Sequence, residues 1–179
     1  METIVVTGSP NCGKSKAIYE LAQWMKRNGW QDDSDGLDGI CKVTDLSFDE
    51  AMKKGDGSQD IKQLFVKADV RCLLWAPMDI GDCLKSLKEL FEKIKRSSQK
   101  VNYLITTLRR FDDPQYQLTL REMGWRESGN DLLDSEGQVI IQIPVLKVKH
   151  ELYNHGRIVC WYNSRTAKLL QTIFTQVIG

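Results

Sequence analysis

Gly8-Ser9-Pro10-Asn11-Cys12-Gly13-Lys14-Ser15 decides how this chain is read. The eight residues match G-x-x-x-x-G-K-[ST] in full, and their flanks supply the context that gives such a match meaning. Ahead of them, Thr3-Ile4-Val5-Val6-Thr7 is a β-branched run that stops at Gly8, as a buried strand of a parallel sheet does. Behind them, Ala17, Ile18, Leu21, Ala22 and Met25 recur at helical spacing between Lys14 and Asn28, with Gly29 placed to end the helix. A loop of this kind turns backbone N–H groups inward as an anion nest, and the helix directs its positive end at the same spot. Lys14 is then expected to neutralise the β- and γ-phosphates of a nucleoside triphosphate, and the Ser15 hydroxyl to ligate Mg2+. Gly8, Ser9, Pro10, Asn11, Cys12, Gly13, Lys14, Ser15 and Lys16 are the expected nucleotide contacts. Pro10 and Asn11 are ordinary turn formers; Cys12 is a small loop residue, or a thiol whose thiolate the helix start would favour.

Length and composition suit one domain spanning residues 1–179, with 41% apolar residues to build a core. The 25 Lys and Arg against 24 Asp and Glu leave no global positive field, so net charge does not indicate nucleic acid or anionic lipid as a partner. No basic leader precedes the first strand and no segment approaches ~18 uninterrupted apolar residues, which predicts a cytoplasmic protein without a membrane span. Five scattered cysteines, none in C-x-x-C, fit reduced thiols, and two histidines make a histidine-rich metal site improbable.

The remaining pattern alternates. Residues 40–44 read as a strand ending at Asp45, and 48–67 hold a weak helical pattern broken by Gly55 and Gly57. Val70 to Ala76 reads as a strand closed by Pro77, feeding a helix with Leu84, Leu87, Leu90, Phe91 and Ile94 on one face. Val101 to Thr107 is a further strand, followed by Arg109-Arg110-Phe111-Asp112-Asp113-Pro114 and a shorter helix. Val139 to Ile143 makes another strand, 158–162 a short one, and 166–177 a closing helix with Leu170, Ile173, Phe174 and Val177 inward. Strands alternating with helices predict an α/β fold, a mainly parallel sheet flanked by helices.

An acid at the end of a second buried strand is expected to hold Mg2+ through water. Asp45 is the first candidate, read on a strand adjacent to the first, and Asp79 is the second; for each, a helix-capping or loop aspartate is the competing reading. Arg109 and Arg110 follow a strand directly, where a guanidinium would stabilise a transferred phosphoryl group, against the reading of a solvated loop. The tryptophans read mostly as core or rim side chains, with base stacking an option for Trp125 or Trp161.

Beyond the loop, the chain resembles the ParA/MinD class of P-loop partition and positioning ATPases. Ala68-Asp69-Val70 opens a strand that ends in Pro77 and feeds a helix with Asp82 and Leu84; Val101-Asn102-Tyr103-Leu104-Ile105-Thr106 and Ile143-Pro144 follow, then Gly156, and Tyr162 ahead of a helix containing Ala167. The resemblance implies a P-loop NTPase fold, ATP with Mg2+, slow hydrolysis and a homodimer or protein partner. It departs at Ser9, where that family carries a signature lysine. The absence of an Asn-Lys-x-Asp motif leans the base towards adenine, with Thr106-Thr107-Leu108-Arg109 at the strand end where one would be sought. Three functions compete: a slow Mg-dependent ATPase or nucleotide-gated switch, with Lys14 and Asp45 as its catalytic pair; a small P-loop kinase with Arg109, Arg110, Asp112 and Asp113 in a lid; and a non-hydrolysing nucleotide-binding module.

Overall fold

The structure, a computed structural model, describes residues 1–9, 12–34, 45–54, 61–76, 88–89, 92, 100–145 and 168–176. The chain runs β1 (Glu2–Thr7), α1 (Lys14–Arg27), β2 (Gln31–Asp32), α2 (Phe48–Lys54), β3 (Ile61–Lys67), β4 (Val70–Ala76), β5 (Tyr103–Leu108), α3 (Pro114–Met123), β6 (Arg126–Ser128), β7 (Asp131–Leu133) and β8 (Val139–Pro144). Residues 168–176 are helical, as are 88, 89 and 92. The predicted strands at 40–44 and 158–162, most of the helix after Pro77, and Asp79 lie outside the described residues.

All eight strands join one sheet in the order β2-β3-β4-β5-β1-β8-β7-β6. Its centre is parallel: β1 pairs with β5 on one side and β8 on the other, and β4 pairs with β5. Both flanks are antiparallel, through β2/β3, β3/β4, β6/β7 and β7/β8. The expectation of a mainly parallel sheet is corrected accordingly: hairpins, which need only short turns, extend a parallel core on both sides. The α/β character stands.

Side chains alternate between two covered faces. Ile4, Val6, Cys72, Leu74, Ala76, Ile105 and Ile143 pack in one cluster with Ala17, Ile18, Leu21 and Met25 of α1. Val5, one position out of phase, packs on the other face with Leu108, Tyr116, Leu120, Trp125, Leu132 and Ile140. The C-terminal helical stretch joins the α1 face: Phe174 is buried with its ring against Trp30 and Tyr103, and Leu170 is buried beside it. Trp125 is buried in the core, which removes it as a base-stacking surface.

Residues 61–67 are a strand, not the tail of a helix. Ile61, Leu64 and Phe65 stand at helical spacing, and a wholly buried Gln63 breaks the alternation a strand would show. Gln63 is accommodated because its Nε2 donates to Asp32 Oδ2 at 3.1 Å, while Ser34 Oγ accepts from the Leu64 N–H at 3.0 Å. No helix among the described residues is long and apolar enough to cross a membrane.

Ala68 opens the two-residue turn between Lys67 and Val70 with φ 52°, in the left-handed region. That conformation costs an L-residue roughly 1–2 kcal/mol, more than the ~0.5–1 kcal/mol that glycine's freedom in the unfolded chain takes back. Ala68→Gly should therefore raise the thermal midpoint by ~2 °C. An unchanged or lowered midpoint in a calorimetric scan would show that the turn carries no such strain.

Candidate functional site

β1 delivers the loop to the C-terminal edge of the parallel strands, between neighbours on both sides. Gly8 N–H donates to the Leu108 carbonyl at 3.1 Å, and Val145 N–H donates to the Thr7 carbonyl at 2.7 Å. The chain leaves β1 for the β2–β5 side and later crosses to β8 on the opposite side, so the loop sits where strand order reverses. Open α/β sheets bind their ligands at this place.

α1 begins there in an unusual way. Its N-cap is Gly13 at φ 97°, no side chain caps it, and no acid stands in its first turn. Lys14 and Lys16 occupy that turn instead, at the end of the macrodipole that favours negative charge. α3 shows the ordinary arrangement: Asp113 caps it by accepting from Gln115 N–H at 2.9 Å, with Pro114 at the first position. Among the described residues α1 thus starts with no side-chain cap and no acid of its own in the first turn.

Lys14 Nζ turns back into the loop and donates to the carbonyls of Gly8 at 3.0 Å and Ser9 at 2.8 Å. Burial holds this ammonium below the ordinary lysine value of 10.5; Cys12 acts to raise it, Arg109 to lower it and Asp113 to raise it. Arg109 and Asp113, from the segment after β5, therefore lie within electrostatic reach of Lys14. Cys12 is buried, 4.0 Å from Lys14 Nζ.

Other sequence-predicted residues are placed elsewhere. Lys16 is tied to α2, its Nζ 2.9 Å from Asp49 Oδ2 and over the Phe48 ring at 5.9 Å. The segment carrying Asp45 docks along α1: Tyr19 Oη donates to the Leu46 carbonyl at 3.0 Å, Gln23 Nε2 donates to the same oxygen, and Phe48 meets Tyr19 edge to face. Asp45 is exposed and lines a hollow with Gln23, Lys26 and Arg27. At 1.5 Å per residue those positions stand about 12–18 Å along the helix from Ser15. The structure does not bring Asp45 to Ser15, nor its segment to the edge of β1, because β5 and β8 already fill both edges. Asp113, which the sequence reading placed only in a lid, acts electrostatically on Lys14 and caps α3. Pro10 and Asn11 lie outside the described residues.

Comparison with protein-family models, with curated proteins and with solved structures returned no match.

Two measurements test this geometry. A Cβ on Gly8 would stand 2.5 Å from Cys12 Sγ and 2.8 Å from the Val145 carbonyl oxygen. The thiol can swing aside but the backbone oxygen cannot, so Gly8→Ala should cost about 1–3 kcal/mol in a denaturant titration. Adding Cys12→Ala should recover only part of it; full recovery would contradict the close approach of Val145. In a side-chain NMR titration, one lysine resonance, absent from Lys14→Ala, should lose its proton below pH 10.5.

Proposed function

We propose that the chain binds a nucleoside triphosphate in the loop from Gly8 to Ser15 and turns it over slowly, as a Mg-dependent ATPase or nucleotide-gated switch. The observation that carries the reading is the start of α1: uncapped, without an acid, with Lys14 and Lys16 in its first turn, at the switch point of the sheet. Lys16 already meets Asp49 at 2.9 Å, which leaves Lys14 as the cation that costs roughly 0.3–1 kcal/mol at this helix start until an anion meets it. A polyphosphate is the anion whose size and charge suit a glycine-flanked nest with a lysine reaching back over it.

The residues fit the nucleotide as follows. Amides at the start of α1 and Lys14 would hold the β- and γ-phosphates, and the Ser15 hydroxyl would hold Mg2+. Bound Mg2+ would neutralise charge on the transferred phosphoryl group. Among the described residues no group of three or more His, Cys, Asp or Glu is gathered for a metal. Asp45 stands with Gln23, Lys26 and Arg27, away from Ser15, and Asp113 caps α3 through its Oδ1. Adenine as the base and the ParA/MinD-like switch remain proposals resting on the sequence resemblance.

A small P-loop kinase is the second reading, favoured by one observation: Arg109 and Asp113 both reach Lys14 from the segment after β5, where a lid over the phosphates would stand. Turnover of ATP with Mg2+ by the purified protein, beside Lys14→Ala and a panel of nucleoside monophosphates, separates the readings. The proposal expects slow ADP release, indifferent to acceptors and reduced at least ~100-fold by Lys14→Ala. ADP formed only with one acceptor would make this a kinase, and binding without turnover under every condition would make it a non-hydrolysing module.

A further inference from the structure

Among the described residues, two side-chain atoms are buried without a hydrogen-bond partner: Nη1 of Arg109 and Oε1 of Gln115, both in the segment that leaves β5. Gln115 offers an acceptor, of no use to a phosphate oxygen. Arg109 offers a donor, and its place in the fold is set by two bonds already described. Leu108 pairs with Thr7 in parallel register, and the Leu108 carbonyl accepts the Gly8 N–H, so Arg109 leaves the sheet directly beside the first residue of the loop.

We infer that Arg109 reads the terminal phosphate of the bound nucleotide, so that the site distinguishes a nucleoside triphosphate from a diphosphate. The inference rests on the phosphate-binding reading of the loop and adds to it a second cation with a separate duty. Amides at the α1 start and Lys14 would hold the β-phosphate and reach the γ-phosphate from the loop side, where Lys14 also serves a diphosphate. Arg109 comes from the neighbouring strand, beyond the nest, and its planar fork matches two oxygens of a phosphoryl group. A sealed guanidinium nitrogen with no acceptor is an arrangement a protein keeps only at a cost, and a γ-phosphate oxygen relieves it. Arg110, one residue on, shows what an ordinary surface arginine does here: half exposed, it pairs with Asp112 at 3.2 Å and lies over the Phe111 ring at 5.7 Å.

The test is a calorimetric comparison of ATP with ADP, and of tripolyphosphate with pyrophosphate, on the wild-type protein and its variants at one ionic strength. Arg109→Ala should weaken ATP and tripolyphosphate by about tenfold or more while leaving ADP and pyrophosphate within about twofold. Arg109→Lys, which keeps the charge and loses the fork, should fall between, and serves if the alanine variant does not fold. Arg121→Ala, at an exposed arginine of α3 paired with Glu122, should change none of the four. Equal losses for tri- and diphosphates, or no loss, would overturn the role of Arg109 while leaving the loop reading intact. A wild-type protein that binds none of the four ligands would overturn the loop reading and this inference with it.

Discussion

β1 is held by hydrogen bonds on both edges until its last residue, and the site depends on that constraint. The Gly8 N–H is tied to β5 and the Thr7 carbonyl to the residue after β8, so the chain has no freedom to drift before it turns. Gly8 is squeezed between Cys12 and the Val145 carbonyl, which leaves room only for a residue without a side chain. α1 must then start close against the sheet, and its buried face locks it there through Ala17, Ile18, Leu21 and Met25. A mutation that loosened β5 or β8 would blur the loop before it unfolded the core.

Rigidity of this kind lets the helix start remain electrostatically unfavourable. Packing beneath α1 outweighs the modest cost of Lys14 at its positive end, since burying one large aliphatic side chain contributes ~1.5–3 kcal/mol. Lys14 donates to the carbonyls of Gly8 and Ser9. A phosphate would compete with those carbonyls for the same ammonium.

The part of the structure nearest the loop was the most legible, for a physical reason. β1 is a continuous β-branched run and α1 a stripe at period 3.6, and the glycines between them are demanded by local geometry. β4, β5 and the stretch 168–176 likewise announce themselves by apolar runs or a helical stripe. The antiparallel flanks were hidden. β3 imitates a helix through Ile61, Leu64 and Phe65, and β6 and β7 are three residues each, too short to show any period. Asp45 is near the loop in sequence, whereas Tyr19 and Gln23 hold its neighbour Leu46 along the side of α1. Asp113 and Arg109 reach Lys14 only through the pairing of β5 with β1, a contact between residues about a hundred positions apart that no local pattern encodes.

The most direct test of the central claim is an amide-resolved NMR titration of the labelled protein with Mg-ATP, repeated with tripolyphosphate. The account predicts the largest shifts at the amides of Gly13, Lys14 and Ser15, reproduced by the ligand that has no base. Shifts centred instead on Gln23, Lys26 and Arg27 near Asp45, or no shifts in the loop at saturating ligand, would contradict it.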